Sequence, residues 1–160
     1  MSNDQELRKQ LVKLLTAQQT HMLFVEAVKD FPEEHINTRP LNVEYTFWQL
    51  VEHIRFNQWD VLDYIRNPNY KWLDWPDDYW PERDAVTDKA GWDHSIQLFM
   101  ADRKALVEII KNPATDLYAQ IPHGFPGHNV LREILVAADH SAYHIGELGI
   151  LRGSMGLWNK

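Results

Sequence analysis

The chain has 160 residues, of which 44% are hydrophobic and 24% are charged, and this composition predicts a soluble globular protein with one domain over residues 1–160. Its 16 Lys and Arg residues are outnumbered by 23 Asp and Glu residues and are scattered along the chain, which argues against nucleic acid as a partner. The chain has no cysteine, so it can form no disulfide and supply no thiolate, and any thiol used in a reaction must come from outside.

Membrane association is not expected from the sequence. No apolar run approaches the roughly 20 residues that a membrane-spanning helix needs. The first residues also lack the basic start and apolar segment of a secretory signal. We therefore expect a cytoplasmic, bacterial protein.

Four stretches of the sequence repeat apolar residues with a period near 3.6 and end at proline or glycine, which predicts four long helices. The predicted helices run over about 4–30, 46–66, 87–111 and 130–152. Thr46 and Asn129 are the expected N-caps of the second and fourth helices. No segment alternates apolar and polar residues as a strand does. The predicted fold is all-α, a four-helix bundle with long connectors.

Two connectors, over 67–84 and 117–127, are longer than the loops of a simple up-and-down bundle. They leave room for a crossover and for a lid over one end. The first connector contains Trp72, Trp75 and Trp80, which are candidates to cover a cleft or a dimer face. We expect a homodimer on the basis of this aromatic excess and of analogy.

Two histidines in the fourth predicted helix are candidate metal ligands. His140 and His144 stand four residues apart, so they point the same way and can hold one metal ion between their imidazoles. Apolar residues share their side of the helix, and a buried imidazole needs partners for both nitrogens, which a metal and a second hydrogen-bond acceptor supply. Hydrogen-bonded core histidines are the alternative. If the second and fourth helices are neighbours, His53 completes a three-nitrogen site that keeps open positions.

The sequence resembles the DinB-like superfamily, which includes the YfiT-type proteins, over nearly the whole chain. The resemblance rests on Leu-Val-Glu-His ending at His53, on Trp92 early in the third helix, and on His-x-x-x-His-x-Gly-Glu-Leu-x-x-Leu-Arg from His140 to Arg152. Members of this family are four-helix bundles that bind a divalent metal through three histidines. Gly146 matches the family glycine, where a small residue would allow close helix approach.

Carried over residue by residue, the resemblance implies metal ligands at His53, His140 and His144. Imidazole ligands suit Zn, Ni or Fe, of which we favour Zn or Ni. The chain departs from the family pattern at two positions. Glu147 stands where Gln is common, and Ala137 stands where many relatives have a further histidine.

The resemblance implies an enzyme that transfers a low-molecular-weight thiol to a small electrophilic substrate, isomerises a substrate with the help of a thiol, or hydrolyses one. Glu147 is the candidate catalytic residue, either as a general base or as a hydrogen-bond acceptor behind a ligand, and an ordinary surface carboxylate is the alternative. A non-enzymatic, stress-associated metal-binding bundle also fits the sequence. So does a metal-free helical dimer with three buried histidines.

Expectations also follow for Asn57, for Arg152 and for the five remaining histidines. Asn57, one turn after His53, is expected to hydrogen-bond a neighbouring helix rather than a substrate. Arg152 is expected to interact with the helix dipole, an ion-pair partner or an anion. Five histidines are expected not to be ligands: His21, His35, His94, His123 and His128.

Overall fold

The computed structural model describes residues 2–158 and is helical, with no strand in that range. The expected domain, 1–160, therefore includes three residues outside the described part of the chain, residues 1, 159 and 160. The helices are α1 (Asn3–Thr16), α2 (Phe24–Val28), α3 (Phe47–Arg66), α4 (Lys89–Lys111) and α5 (Val130–Ser154). In the bundle, α3 packs against α4 and α5, and α1 packs against the same two helices. The predicted all-α four-helix bundle is confirmed.

Local hydrogen bonds set the starts of the long helices. The Thr46 hydroxyl accepts a bond from the Gln49 N–H at 3.1 Å, while the Gln49 side chain accepts one from the Thr46 N–H at 2.9 Å, which forms a capping box. The Asn129 side chain accepts a bond from the N–H of Arg132 at 2.9 Å. Both predicted N-caps are confirmed. No helix among the described residues is long and apolar enough to cross a membrane.

The first predicted helix, over about 4–30, is wrong as a single element. α1 ends at Thr16, and residues 17–23 leave the helical path before α2 begins. Residues 18–21 are all polar and exposed, so a continuous helix would gain no packing at this point. Instead, the Glu26 side chain accepts a hydrogen bond from the Leu23 N–H at 2.7 Å and caps the start of α2.

α3 and α4 run in the same direction. One apolar cluster contains Phe47 and Trp92 from the first turns of these helices, and a second contains Leu62 and Leu106 from their later turns. The end of α3 and the start of α4 therefore lie at opposite ends of the bundle. The connector between them, residues 67–88, crosses the length of the bundle, and we call it the crossover segment. The length of the predicted connector, 67–84, leaves room for such a crossover.

The crossover segment is held against α3 by polar side chains. The Asp60 carboxylate accepts hydrogen bonds from the hydroxyls of Tyr70 and Tyr79, each at 2.8 Å. Near its other end, the buried Gln49 amide donates to the Glu82 carbonyl oxygen at 2.8 Å. These bonds fix the path of the segment along α3.

Arg152, on α5, forms hydrogen bonds with the backbone at the end of α2. Its side chain is buried, and it donates to the carbonyl oxygens of Ala27 at 2.9 Å, Asp30 at 3.1 Å and Leu157 at 3.1 Å. It forms no ion pair with any residue in the range 2–158. Its role in this fold is to satisfy backbone carbonyls, which the sequence did not predict.

The substitution Arg152→Met should lower the free energy of unfolding by about 2 kcal/mol or more, because it leaves buried carbonyl oxygens without donors. Urea denaturation followed by circular dichroism measures this loss. Arg83→Met is the matched control, since the Arg83 side chain is 76% exposed and pairs with the exposed Glu44. Its effect should stay within about 0.5 kcal/mol, and equal effects of the two variants would contradict the role assigned to Arg152.

Candidate metal centre

Three histidines come together where α3 lies beside α5. His53, on α3, is 1% exposed, while His140 and His144 lie one turn apart on α5 and are partly buried. One ring nitrogen of each lies within 4.8 Å of the other two, and the Nε2 atoms of His53 and His140 are 3.1 Å apart. The structure thus brings together the three histidines that the sequence singles out.

Hydrogen bonds determine which ring nitrogen is free on two of these residues. Nδ1 of His53 lies 2.8 Å from the carbonyl oxygen of Tyr79, which can only accept, so this nitrogen carries the proton. Nδ1 of His144 lies 2.7 Å from the Glu147 carboxylate and donates to it in the same way. Each ring is left with Nε2 as its lone-pair nitrogen, the form in which imidazole binds a metal.

Burial keeps the three imidazoles uncharged. Removal from water lowers the pKa of His53, and the hydrogen bond to Tyr79 only partly opposes this shift. Burial, together with the charges that His144 and His53 would carry, lowers the pKa of His140 to about 3. Burial and the neighbouring His53 lower the pKa of His144 to about 4. Neutral imidazoles have their lone pairs available at neutral pH.

Glu147 connects His144 to the segment that precedes α3. One carboxylate oxygen accepts from His144, and the other accepts a hydrogen bond from the Tyr45 hydroxyl. The Glu147 side chain is 26% exposed, and burial raises the pKa of its carboxyl group. Because both oxygens are engaged, Glu147 is not a freely solvated surface carboxylate.

The crossover segment covers the histidines with Trp80. Its ring is stacked on the His53 imidazole, with ring centroids 3.7 Å apart and planes inclined by 6°. The same ring stacks on Tyr45 at 4.7 Å. Trp75 lies at the edge of the site, 6.2 Å from the His53 ring, whereas Trp72 packs on Phe125 instead. Of the three tryptophans proposed as a cover, Trp80 is therefore the one that closes over the histidines.

The other described histidines do not join this cluster. His123 contacts the Tyr64 carbonyl oxygen at 2.7 Å, and His128 contacts the Tyr64 hydroxyl at 3.0 Å. The remaining three also lie outside the cluster: His21, His35 and His94. The Asn57 amide nitrogen is buried and has no hydrogen-bond partner within residues 2–158, so its expected bond to a neighbouring helix is absent there.

The expected close helix approach at Gly146 is wrong. Apart from its chain neighbours and the backbone of its own helix, a Cβ atom added at Gly146 would meet no heavy atom of the described residues within 4 Å. The close contact is at Gly149 instead, where an added Cβ would lie 2.9 Å from the Met22 methyl carbon. The break between α1 and α2 brings Met22 to this position, so the contact depends on a feature that the helical periodicity did not predict.

Two contacts of the site were not predicted from the sequence. Tyr45 reaches Glu147 across 102 residues, and the carbonyl oxygen that orients His53 belongs to Tyr79 in the crossover segment. Neither residue belongs to a motif. For Tyr79 the sequence signal was the high aromatic content of the connector, which indicated a cover without identifying its contacts, whereas Tyr45 lies outside that connector.

Comparison with known families gives one match. A family model described as the DinB superfamily matches residues 16–148, a range that contains the three histidines and Glu147 and ends before Arg152. Comparisons with curated proteins and with solved structures gave no match.

Proposed function

The chain belongs to the DinB superfamily, and on that premise we propose that it is a metal-dependent enzyme that activates a low-molecular-weight thiol or water against a small electrophilic substrate. The supporting observation is a cluster of one buried and two partly buried imidazoles, in which one ring nitrogen of each lies within 4.8 Å of the other two. Two nitrogen ligands of a tetrahedral zinc ion lie about 3.3 Å apart, given bonds of about 2.0–2.1 Å. The 3.1 Å between the Nε2 atoms of His53 and His140 is compatible with that spacing.

The proposed ligands are His53, His140 and His144, and the proposed ion is Zn or Ni, with Fe as a further candidate. Because all three ligands are neutral, a bound divalent cation would keep its charge and would lower the pKa of a thiol or water at an open position. The protein's own contribution is to hold the three rings in place. Trp80 shields one face of His53 from water.

Glu147 is proposed as the residue that positions His144. Its carboxylate accepts a hydrogen bond from the Nδ1–H of His144, and the Tyr45 hydroxyl donates a hydrogen bond to the same carboxylate. A carboxylate in this position makes the histidine a stronger ligand. Glutamine, the residue common in the family, would keep the hydrogen bond without the negative charge. A second role for Glu147, as acceptor of the proton that a thiol or water releases, is also proposed.

Protein purified without a histidine tag should bind about one Zn or Ni ion per chain, as measured by elemental analysis. Each of the variants His53→Ala, His140→Ala and His144→Ala should lower the affinity by about 100-fold or more, because a ligand is lost. His94→Ala is the control, since His94 is exposed and lies outside the cluster. Absence of Zn and Ni uptake by the unaltered protein would support the metal-free bundle instead.

Glu147→Ala should lower Zn affinity by about 10- to 100-fold, and Glu147→Gln should lower it less, because only the alanine removes the acceptor for His144. Metal titration followed by competition with a chelator measures both. If Glu147 also accepts a proton during the reaction, kcat of Glu147→Gln should fall even when the protein is fully loaded with metal. Wild-type affinity in Glu147→Ala would show that the carboxylate does not support the centre.

Metal-loaded protein should accelerate one of two reactions by about tenfold or more over metal-free protein. In the first, the sulfur of glutathione or cysteine displaces chloride from 1-chloro-2,4-dinitrobenzene and the thiol proton is released. In the second, water cleaves 4-nitrophenyl acetate to acetate and nitrophenol. The acceleration should be lost in His144→Ala and retained in His94→Ala. Metal binding without either activity would favour the non-enzymatic metal-binding protein.

A further inference from the structure

A cavity of about 110 Å³ lies away from the cluster of His53, His140 and His144. Its α5 wall is formed by the helix face that contains Ala138, Ser141 and Ile145, which turns away from His140 and His144. The other walls come from α1, α4 and the break between α1 and α2. Most of the lining is apolar: Leu14, Leu15, Met22, Phe24 and Phe99.

Arg103 is the one cationic side chain that lines this cavity, apart from the ionisable ring of His21. It is 8% exposed, and burial lowers its pKa to about 10, so it stays protonated at neutral pH. Its guanidinium donates to the Gln58 side chain, to the Leu15 carbonyl oxygen at 3.0 Å and to the Ser141 hydroxyl at 3.0 Å. All three acceptors are neutral.

The guanidinium carbon of Arg103 lies 4.7 Å from the centre of the Phe99 ring, but no carboxylate within residues 2–158 forms an ion pair with this cation. Each terminal nitrogen of a guanidinium carries two N–H groups, and each here donates one hydrogen bond to the protein. One N–H on each nitrogen is left over. A buried cation of this kind is costly, and an anion that accepts these N–H groups would lower that cost.

We propose that this cavity binds a small monocarboxylate, with its carboxylate on Arg103 and its hydrocarbon part among the apolar side chains. The charge of Arg103 selects the head group, and the apolar walls select the tail. An engineered cavity of about 150 Å³ holds benzene, which has six carbon atoms, so a tail of roughly four carbon atoms fits this smaller volume. Because the cavity does not include His53, His140 or His144, this ligand is distinct from the substrate of the proposed reaction.

Titration of the protein with 3-methylbutanoate, followed by methyl NMR, tests the site. The methyl signals of residues that line the cavity should shift, among them Leu14, Met22 and Ala142. The neutral analogue 3-methylbutanamide should bind at least about tenfold more weakly, because it cannot neutralise Arg103. Equal affinities, or no shift of these methyl signals at millimolar concentrations, would overturn the proposal. So would shifts confined to residues around His144, because these would place the carboxylate at the histidine cluster.

Ala142→Leu fills the cavity and should weaken binding of 3-methylbutanoate at least about tenfold. Ala101→Leu is the matched control, because Ala101 is exposed on α4 and does not line the cavity. Arg103→Gln should make the acid and the amide bind alike. If Arg103→Gln fails to fold, two comparisons still decide the outcome. One compares the acid with the amide in the unaltered protein, and the other compares Ala142→Leu with Ala101→Leu. His144→Ala should bind 3-methylbutanoate as the unaltered protein does, which separates this proposal from the proposed metal centre.

Discussion

The parallel course of α3 and α4 is the constraint on which the candidate centre depends. Helix α3 has 20 residues and is about 30 Å long at 1.5 Å per residue, so the chain must travel back over that distance before α4 can begin. The crossover segment does so alongside α3 and passes His53. There the Tyr79 carbonyl fixes the ring and Trp80 stacks on it. The cover of the histidines is thus a consequence of the bundle topology.

The histidine cluster combines burial with directed hydrogen bonds. Burial alone would keep the imidazoles neutral but would leave the choice of protonated nitrogen open. The Tyr79 carbonyl and the Glu147 carboxylate make that choice for His53 and His144, because both can only accept a hydrogen bond. The lone pairs are then set by the fold before any ion binds. This preorganisation is the physical link between the helical packing and the proposed function.

The C-terminal ends of α1 and α2 explain why two arginines are buried in this bundle. Helix ends leave carbonyl oxygens without partners inside the helix. Arg103 donates to the Leu15 carbonyl near the end of α1, and Arg152 donates to the carbonyls of Ala27 and Asp30 at the end of α2. Arg152 and Arg103 each donate to three neutral oxygen acceptors, but Arg103 also lines the cavity. The ends of α1 and α2 therefore hold one structural arginine and one candidate binding residue.

Features that depend on neighbours within one helical turn could be predicted from the amino-acid sequence. The N-caps Thr46 and Asn129 and the common face of His140 and His144 are of this kind, and together with the family motifs they identified the bundle and the three histidines. Other features became visible with the packed helices: the break after Thr16, the hydrogen bonds of Tyr45 with Glu147 and of His53 with Tyr79, and the absence of a carboxylate partner for Arg103 within residues 2–158. Those features arise from contacts between residues far apart in the chain, and periodicity carries no information about such contacts until the helices are packed.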